Sequence, residues 1–233
     1  MILALAATAL VTAGLVIGRP DQGGRQRTTS PFGTSTTSVP RTTGTTTTVP
    51  VPTTTTDAGQ LPQTAALPTA TGPAFTGAMA ALWGGVSTGD AQEALAAFFP
   101  EEAYVQLKTV PDAQVDFTGR LVTEFEEDVA AAHQLLGADA PAATLVGVDV
   151  DAAYAHWVPV GVCSNDVGYY EVPNARLVYS INGRVASFGI ASMISWRGEW
   201  YVVHLGAILR SGAGGEIDDP QSGPGSPIYS PTC

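Results

Sequence analysis

The stretch from 176 to 209, which reads RLVYSINGRVASFGIASMISWRGEWYVVHLGAIL, limits the fold more than any other part of the chain. It is rich in β-branched and aromatic residues, and Asn182-Gly183 lies between two such runs. A type I′ turn needs a positive φ at both central residues, so an Asn-Gly pair in this setting indicates a β-hairpin. Arg197-Gly198 indicates a second turn. The stretch therefore predicts three consecutive antiparallel strands.

The pairing of the first two strands follows from the two-residue loop. It places Leu177 opposite Phe188 and Tyr179 opposite Ala186. Because side chains alternate between the two faces of a sheet, one face is mainly apolar and must be covered. If the second turn also has two residues, this face holds Leu177, Tyr179, Ile181, Phe188, Ile190, Ile194, Trp196, Tyr201, Val203 and Leu205.

The opposite face is small and mixed, which is typical of a half-solvated antiparallel sheet. It holds Ser180, Ser187, Gly189, Ala191, Ser195, Trp200, Val202 and His204. Arginine rarely takes a positive φ, so a type I turn with a glycine bulge is the alternative at Arg197-Gly198. That alternative shifts the third strand by one residue and exchanges the faces of His204 and Leu205.

Residues 1–18, MILALAATALVTAGLVIG, carry no charged side chain. An apolar run of this length is near the lower limit for a membrane-spanning helix and is long for the core of a signal peptide. We expect it either to anchor the chain in the cell membrane or to be cleaved during export. Three arginines follow it, and the positive-inside rule alone would place the rest of the chain in the cytoplasm. The threonine-rich tract and the cysteines favour an extracytoplasmic domain instead.

Residues 19–72 are predicted to be a disordered linker rich in Thr, Pro and Ser. Such a tract buries too little apolar surface to offset the conformational entropy lost on folding. Similar tracts form O-glycosylated stalks, and a plain flexible spacer is the alternative. The globular domain is expected over 73–210, and 211–233 is expected to be a Gly/Pro-rich tail that ends in Cys233.

The first half of the globular domain predicts helices. Apolar residues recur at helical spacing over 75–86 and 120–136. Asp90 is a candidate N-cap for a helix over 91–99, and a short helix is expected over 101–110.

The second half predicts strands. Two of them, 144–150 and 154–162, flank Asp151-Ala152-Ala153, which is expected to be a hairpin turn. With the three later strands they make an antiparallel sheet of about five strands. Helices followed by such a meander predict an α+β domain, in which the helices pack on one face of a curved sheet.

Cys163 and Cys233 are the two cysteines of the chain. In an exported protein an even number of cysteines indicates a disulfide, which here would tether the tail to the loop after the second strand. Two free thiols and pairing with another chain are the alternatives.

The charge of the chain excludes one class of partner. Its formal net charge is −11, and residues 73–233 hold nineteen acidic and six basic side chains. A domain this acidic repels phosphate backbones, so no nucleic-acid partner is expected. The three histidines lack the short spacing of zinc ligands, so neither a metal nor a cofactor is expected.

Five residues are candidates for a pocket or a contact surface. His133 lies near the end of the 120–136 helix, where a protonated imidazole stabilises the helix dipole, and an acid or base in a pocket is the alternative role. Tyr179 and Tyr201 belong to the covered face of the sheet. Trp200 and His204 belong to the other face, where Trp200 would mark a contact surface.

The order of the elements over 75–210 resembles the nuclear-transport-factor-2-like, cone-shaped α+β fold. The segment 161–207 also resembles exported actinobacterial proteins with a Thr/Pro-rich spacer, and this resemblance implies no activity. Relatives of the cone fold include isomerases and dehydratases that use Asp/His pairs. No such pair can be assigned residue by residue in this chain, and a fold does not imply a function.

Three functions are therefore compatible with the sequence. The first is a non-catalytic domain, anchored or secreted, that binds a small ligand or an envelope protein outside the membrane. The second is a small-molecule enzyme that uses His133 with a carboxylate or a tyrosine of the sheet. The third is a structural or self-associating module.

Overall fold

The computed structural model describes residues 57–206 and 214–226. Within these ranges the chain is an α+β domain in which helices pack on a curled antiparallel sheet, as predicted. The helices are α1 (Pro73–Thr88), α2 (Ala91–Ala94), α3 (Glu101–Leu107), α4 (Ala113–Asp116) and α5 (Val122–Leu136). The strands are β1 (Ala143–Asp149), β2 (His156–Val158), β3 (Tyr169–Ile181), β4 (Arg184–Trp196), β5 (Glu199–His204) and β6 (Gln221–Ser222).

The predicted helix over 75–86 is confirmed as α1, which ends where Gly89 takes a φ of 79°. Asp90 caps α2 by accepting a hydrogen bond from the backbone N–H of Gln92 at 3.0 Å, as expected of an N-cap. The helix predicted over 91–99 is shorter than expected. After a 3₁₀ turn, Phe98 and Phe99 become extended and pair with the edge of β5, where Phe99 N donates to Val202 O.

The helix predicted over 120–136 is composite. A π-helical segment, Phe117–Leu121, joins α4 to α5. π-helical segments are uncommon in proteins, and those that occur are often at functional sites. The helix ends at Gly137 with a φ of 54°, as the sequence predicts.

The first hairpin has the predicted register, with Leu177 opposite Phe188 and Tyr179 opposite Ala186. The predicted hairpin around 151–153 is wrong. Strands β1 and β2 do not pair with each other but lie in line along β3, which is thirteen residues long and accommodates both. The connection between them is a 3₁₀ turn capped by Asp151.

The second hairpin has a two-residue turn, in which both Arg197 (φ 53°) and Gly198 (φ 85°) are left-handed. The glycine-bulge alternative is therefore wrong at the turn. The register shifts later, because β5 holds one extra residue, Val203, opposite Ser192 and Met193. This bulge still exchanges the faces at the end of β5. His204, predicted on the mixed face, shares the helix-covered face with Ser192.

Residues 57–72, assigned to the linker from sequence, contact the domain in the structure. The indole N–H of Trp196 donates to Ala58 O at 3.0 Å, and the guanidinium of Arg197 donates to Pro62 O. Gln63 donates from Nε2 to Ser195 O at 2.8 Å and accepts from Arg197 N at 2.6 Å. These contacts stabilise Arg197 in its unfavourable backbone conformation. Residues 1–56 lie outside the described ranges.

Replacing Gln63 by alanine should therefore destabilise the full-length protein by about 1 to 2 kcal/mol, because two backbone groups of the second hairpin lose their partner. Gln60→Ala is the matched control, since Gln60 is exposed and no side-chain hydrogen bond is described for it. Denaturant unfolding of both variants measures the difference. Equal unfolding midpoints would show that residues 57–72 do not stabilise the turn.

The described part of the tail, residues 214–226, also contacts the domain. Strand β6 pairs with Ala186 and Ser187 of β4, beyond the point where β5 ends. Asp218 accepts from Gly189 N at 2.8 Å and forms an ion pair of 2.9 Å with the buried Arg176. Residues 214–226 thus complete one edge of the sheet.

Candidate functional site

Three of the predicted site residues have structural roles. His133 Nδ1 lies 2.9 Å from Val86 O and so joins α5 to the last turns of α1. Tyr179 is 3% exposed and stacks on Trp83 with ring centroids 5.6 Å apart. Trp200 is 4% exposed, so the predicted contact surface around it is wrong.

His204 lies between two carboxylates of α5. Its Nε2 is 3.8 Å from Glu124 Oε2, and its Nδ1 is 3.6 Å from Asp128 Oδ2. Asp128 is fully buried and accepts hydrogen bonds from Leu205 N at 3.0 Å and Gly215 N at 2.7 Å. This carboxylate thus holds the end of β5 and the start of the tail together.

A row of charged groups at four-residue spacing runs from α4 through the π-helical segment into α5: Asp116, Arg120, Glu124 and Asp128. Arg120 donates from Nε to Asp116 Oδ1 at 2.8 Å and from an η nitrogen to Glu124 Oε2 at 3.3 Å. Tyr104 O–H donates to Asp116 at the end of this row. Burial, followed by the hydrogen bond to Asp116, raises the pKa of the Tyr104 hydroxyl, so Tyr104 stays neutral.

The pKa of Asp116 is lowered, chiefly by its hydrogen bonds from Arg120. A lowered folded-state pKa contributes stability that is present above the unfolded-state pKa and is lost as the pH falls through the folded-state pKa. We therefore expect Asp116→Asn to destabilise the protein at neutral pH and to have progressively less effect below pH ~4. The effect is modest because the pair is partly solvated. Unfolding free energies of both proteins from neutral to acid pH test this, and a difference independent of pH would contradict it.

A second polar cluster lies on β3, next to Ser192, the β4 residue that pairs with His204. Glu171 is 2% exposed and accepts from Ser192 Oγ at 3.1 Å, and His156 Nε2 lies 3.8 Å from it. Lys108 donates to Cys163 O at 2.9 Å and to Asn165 Oδ1 at 3.0 Å, and burial lowers its pKa. These contacts join the end of α3 to the loop before β3.

Tyr201 lines a surface cleft of about 360 Å³. This volume lies within the range of small-molecule sites. The described residues that line it, here called the Tyr201 cleft, are Asp57, Leu95, Ala96, Phe98, Phe99, Pro100, Glu101, Phe117, Val122 and Tyr201. The cleft lies where the chain leaves helical geometry at Phe98, between the 3₁₀ turn that follows α2, the π-helical segment and β5.

Aromatic rings form the floor of the Tyr201 cleft. Tyr201 packs edge-on against Phe99, with ring centroids 5.8 Å apart and planes at 84°. The ring centroid of Phe98 lies 5.6 Å from that of Phe117 and 4.5 Å from that of Phe125. The phenylalanines are buried, and Tyr201 is half-buried and reaches the surface.

The rim of the cleft is acidic. Asp57 is exposed and accepts from Gly59 N at 2.8 Å, and Glu101 opens α3, where a carboxylate is favoured by the helix dipole. The pKa of Tyr201 is raised, first by burial and then by the charges of Glu199 and Asp57. Negative potential therefore reaches the aromatic floor.

Of the residues predicted from sequence, the structure places Tyr201 in a cleft and His204 beside carboxylates, and it does not bring the two together with His133. Four further lining residues were not predicted from the sequence: Ala96, Phe98, Phe99 and Phe117. The sequence signal for this wall is Pro100, because a proline disfavours helical geometry at the residue before it, here Phe99.

Cys163 is not a free thiol. Its predicted partner, Cys233, lies outside the described residues, so their disulfide stays a prediction. Over the described ranges, no group of three potential metal ligands converges, and no helix is both long and apolar enough to cross a membrane. The predicted membrane segment, 1–18, lies outside those ranges.

No protein-family model, no curated protein and no solved structure matches the chain.

Proposed function

We propose that this chain carries a non-catalytic binding domain on the outer side of the cell membrane, attached by residues 1–18 or secreted, and that the Tyr201 cleft holds a compact apolar ligand. The observation that supports the cleft is its lining of three phenylalanine rings beside the half-buried Tyr201. Apolar concave sites with few polar groups are typical of small-molecule binding. The apolar segment and the Thr/Pro-rich linker support the location.

The same proposal includes the nuclear-transport-factor-2-like cone. It is supported by the order of the elements, in which α1 to α5 precede a long-stranded antiparallel meander. The Tyr201 cleft lies between those helices and β5, so the ligand would contact both layers of the domain.

Ala96 allows a direct test, because it is exposed and lines the cleft. We expect the full-length protein to bind 3,3-dimethylbutan-1-ol, a compact neutral alcohol, in ligand-observed NMR. Ala96→Trp should weaken binding at least ~10-fold, or ~1.4 kcal/mol, by filling the cleft. Ala80→Trp, at an exposed position of α1, is the control and should bind normally. Equal binding by the two variants would refute the cleft as the site.

One observation favours the alternative of a small-molecule enzyme. His204 lies within 4 Å of two carboxylates, an arrangement that acid–base catalysis uses. The buried Asp128 of this group already accepts two backbone hydrogen bonds, which is a structural role. Turnover of a small hydroxy or keto substrate that is lost in His204→Ala and retained in His133→Ala would support the enzyme. Equal turnover by both variants would show that His204 is not needed for the reaction.

A further inference from the structure

The charges around the Tyr201 cleft have one sign. Asp57 and Glu101 line it, and Glu199 acts on Tyr201 from nearby. Among the described residues that line the cleft, none is basic. No ion pair is described for any of these three carboxylates.

Three basic side chains of the domain, Arg120, Arg197 and Lys108, are bound by other residues. Arg120 is held by Asp116 and Glu124. The guanidinium of Arg197 donates to Pro62 O, and Lys108 is held by Asn165 and by Cys163 O. None of these three basic side chains lines the cleft, so none contacts its acidic rim.

The aromatic floor of the cleft also favours a positively charged ligand. An aromatic ring carries negative charge on its faces and attracts a cation placed within about 6 Å of its centroid. Tyr201 is the ring that reaches the surface, and Asp57 lines the same cleft. The net charge of −11 raises the local concentration of cations around the whole chain.

We infer that the ligand of the Tyr201 cleft is a small organic cation, an alkylated ammonium group on a compact apolar body. Its alkyl groups would contact Tyr201 and the other apolar lining residues, and its charge would lie between the ring and the carboxylates of Asp57 and Glu101. This inference rests on the proposed function, because it specifies the ligand of the same cleft.

Choline and 3,3-dimethylbutan-1-ol are suitable probes, because they have nearly the same shape and differ in charge. We expect choline to bind the full-length protein about tenfold more tightly at low salt, from one cation–π contact and two partly screened carboxylates. The preference should shrink at high salt, since exposed charges are screened there.

Glu101→Gln and Asp57→Asn test the two carboxylates, and each keeps an oxygen acceptor at its position. Each should weaken choline binding about two- to fivefold and leave binding of the neutral alcohol unchanged. Glu102→Gln is the matched control, because Glu102 is exposed on the same helical turn and does not line the cleft.

The possible outcomes separate the inference from the proposed function. Equal affinities for the two probes, with both blocked by Ala96→Trp, would refute the cationic ligand and leave the binding cleft in place. Binding of neither probe would overturn both. A choline preference that Glu101→Gln and Glu102→Gln reduce equally would show a general effect of net charge and would also overturn the inference.

Discussion

Replacing Arg176 by alanine should destabilise the protein by about 3 to 5 kcal/mol. Arg176 is 1% exposed, forms an ion pair of 2.9 Å with Asp218, and donates to Ser187 O at 2.7 Å. The substitution leaves Asp218 without its cationic partner and Ser187 O without its donor. Removing one partner of a buried pair is costly because the remaining charge stays desolvated. Denaturant unfolding of the full-length variant measures the loss.

Arg184→Ala is the control, because Arg184 is exposed at the other end of the first hairpin and should change stability by less than about 0.5 kcal/mol. Arg176→Lys should also be destabilising, since an ammonium cannot reproduce the planar fork of the guanidinium. In a double-mutant cycle, the double variant Arg176→Ala/Asp218→Ala should lose less unfolding free energy than the sum of the losses of the two single variants. Additive effects would show that the tail is not fixed through this pair.

Gly206→Ala should be comparably severe, at about 3 to 5 kcal/mol. Gly206 has a φ of 88°, which is unfavourable for residues with a side chain. A Cβ at this position would lie 1.9 Å from the backbone oxygen of Glu216. Gly206 N also donates to Gly189 O at 2.7 Å, so the backbone cannot move away without losing a bond of the sheet edge.

Gly77→Ala is the control, and we expect it to change the stability in the opposite direction. Gly77 lies in α1, is exposed, and has open space where a Cβ would be. Alanine there should stabilise the protein by about 0.5 to 1 kcal/mol, because it restricts the unfolded chain and favours a helix. Thermal unfolding of the two variants should shift in opposite directions. A Gly206→Ala variant as stable as the unmodified protein would show that the tail does not pack against the end of β5.

Local chemistry explains the parts of the fold that the sequence predicts well. Asn182-Gly183 determines a turn type, and the turn determines the register of thirteen-residue strands. Asp90 and Gly137 mark helix ends for similarly local reasons. The α+β class follows from the order of these elements.

The remaining parts depend on partners that are distant in sequence. The sequence pattern of 144–150 and 154–162 predicts a hairpin. In the structure, β1 and β2 both pair with β3, which follows them in the chain. Arg197 takes a positive φ because Gln63, far away in sequence, binds its backbone. The segment 57–72 has no apolar periodicity, since it contributes mainly polar and backbone contacts.

The candidate site shows the same division. Tyr201 is placed correctly because strand alternation puts it on the covered face. The wall opposite Tyr201 is not predictable from local pattern, because Phe98 and Phe99 leave helical geometry only where β5 offers them a pairing edge. His204 changes face through a bulge at Val203, for which the sequence carries no glycine signal.

The central claim, that the Tyr201 cleft binds a compact ligand, is tested most directly by methyl NMR of the full-length protein titrated with 3,3-dimethylbutan-1-ol. We expect the largest chemical-shift changes at the methyl groups of Leu95 and Val122, which line the cleft. Val146 and Val160, exposed outside the cleft, should not respond. Shift changes centred on those two valines would show that the probe does not bind in the cleft. The absence of shift changes at Leu95 and Val122 at a saturating probe concentration would show the same.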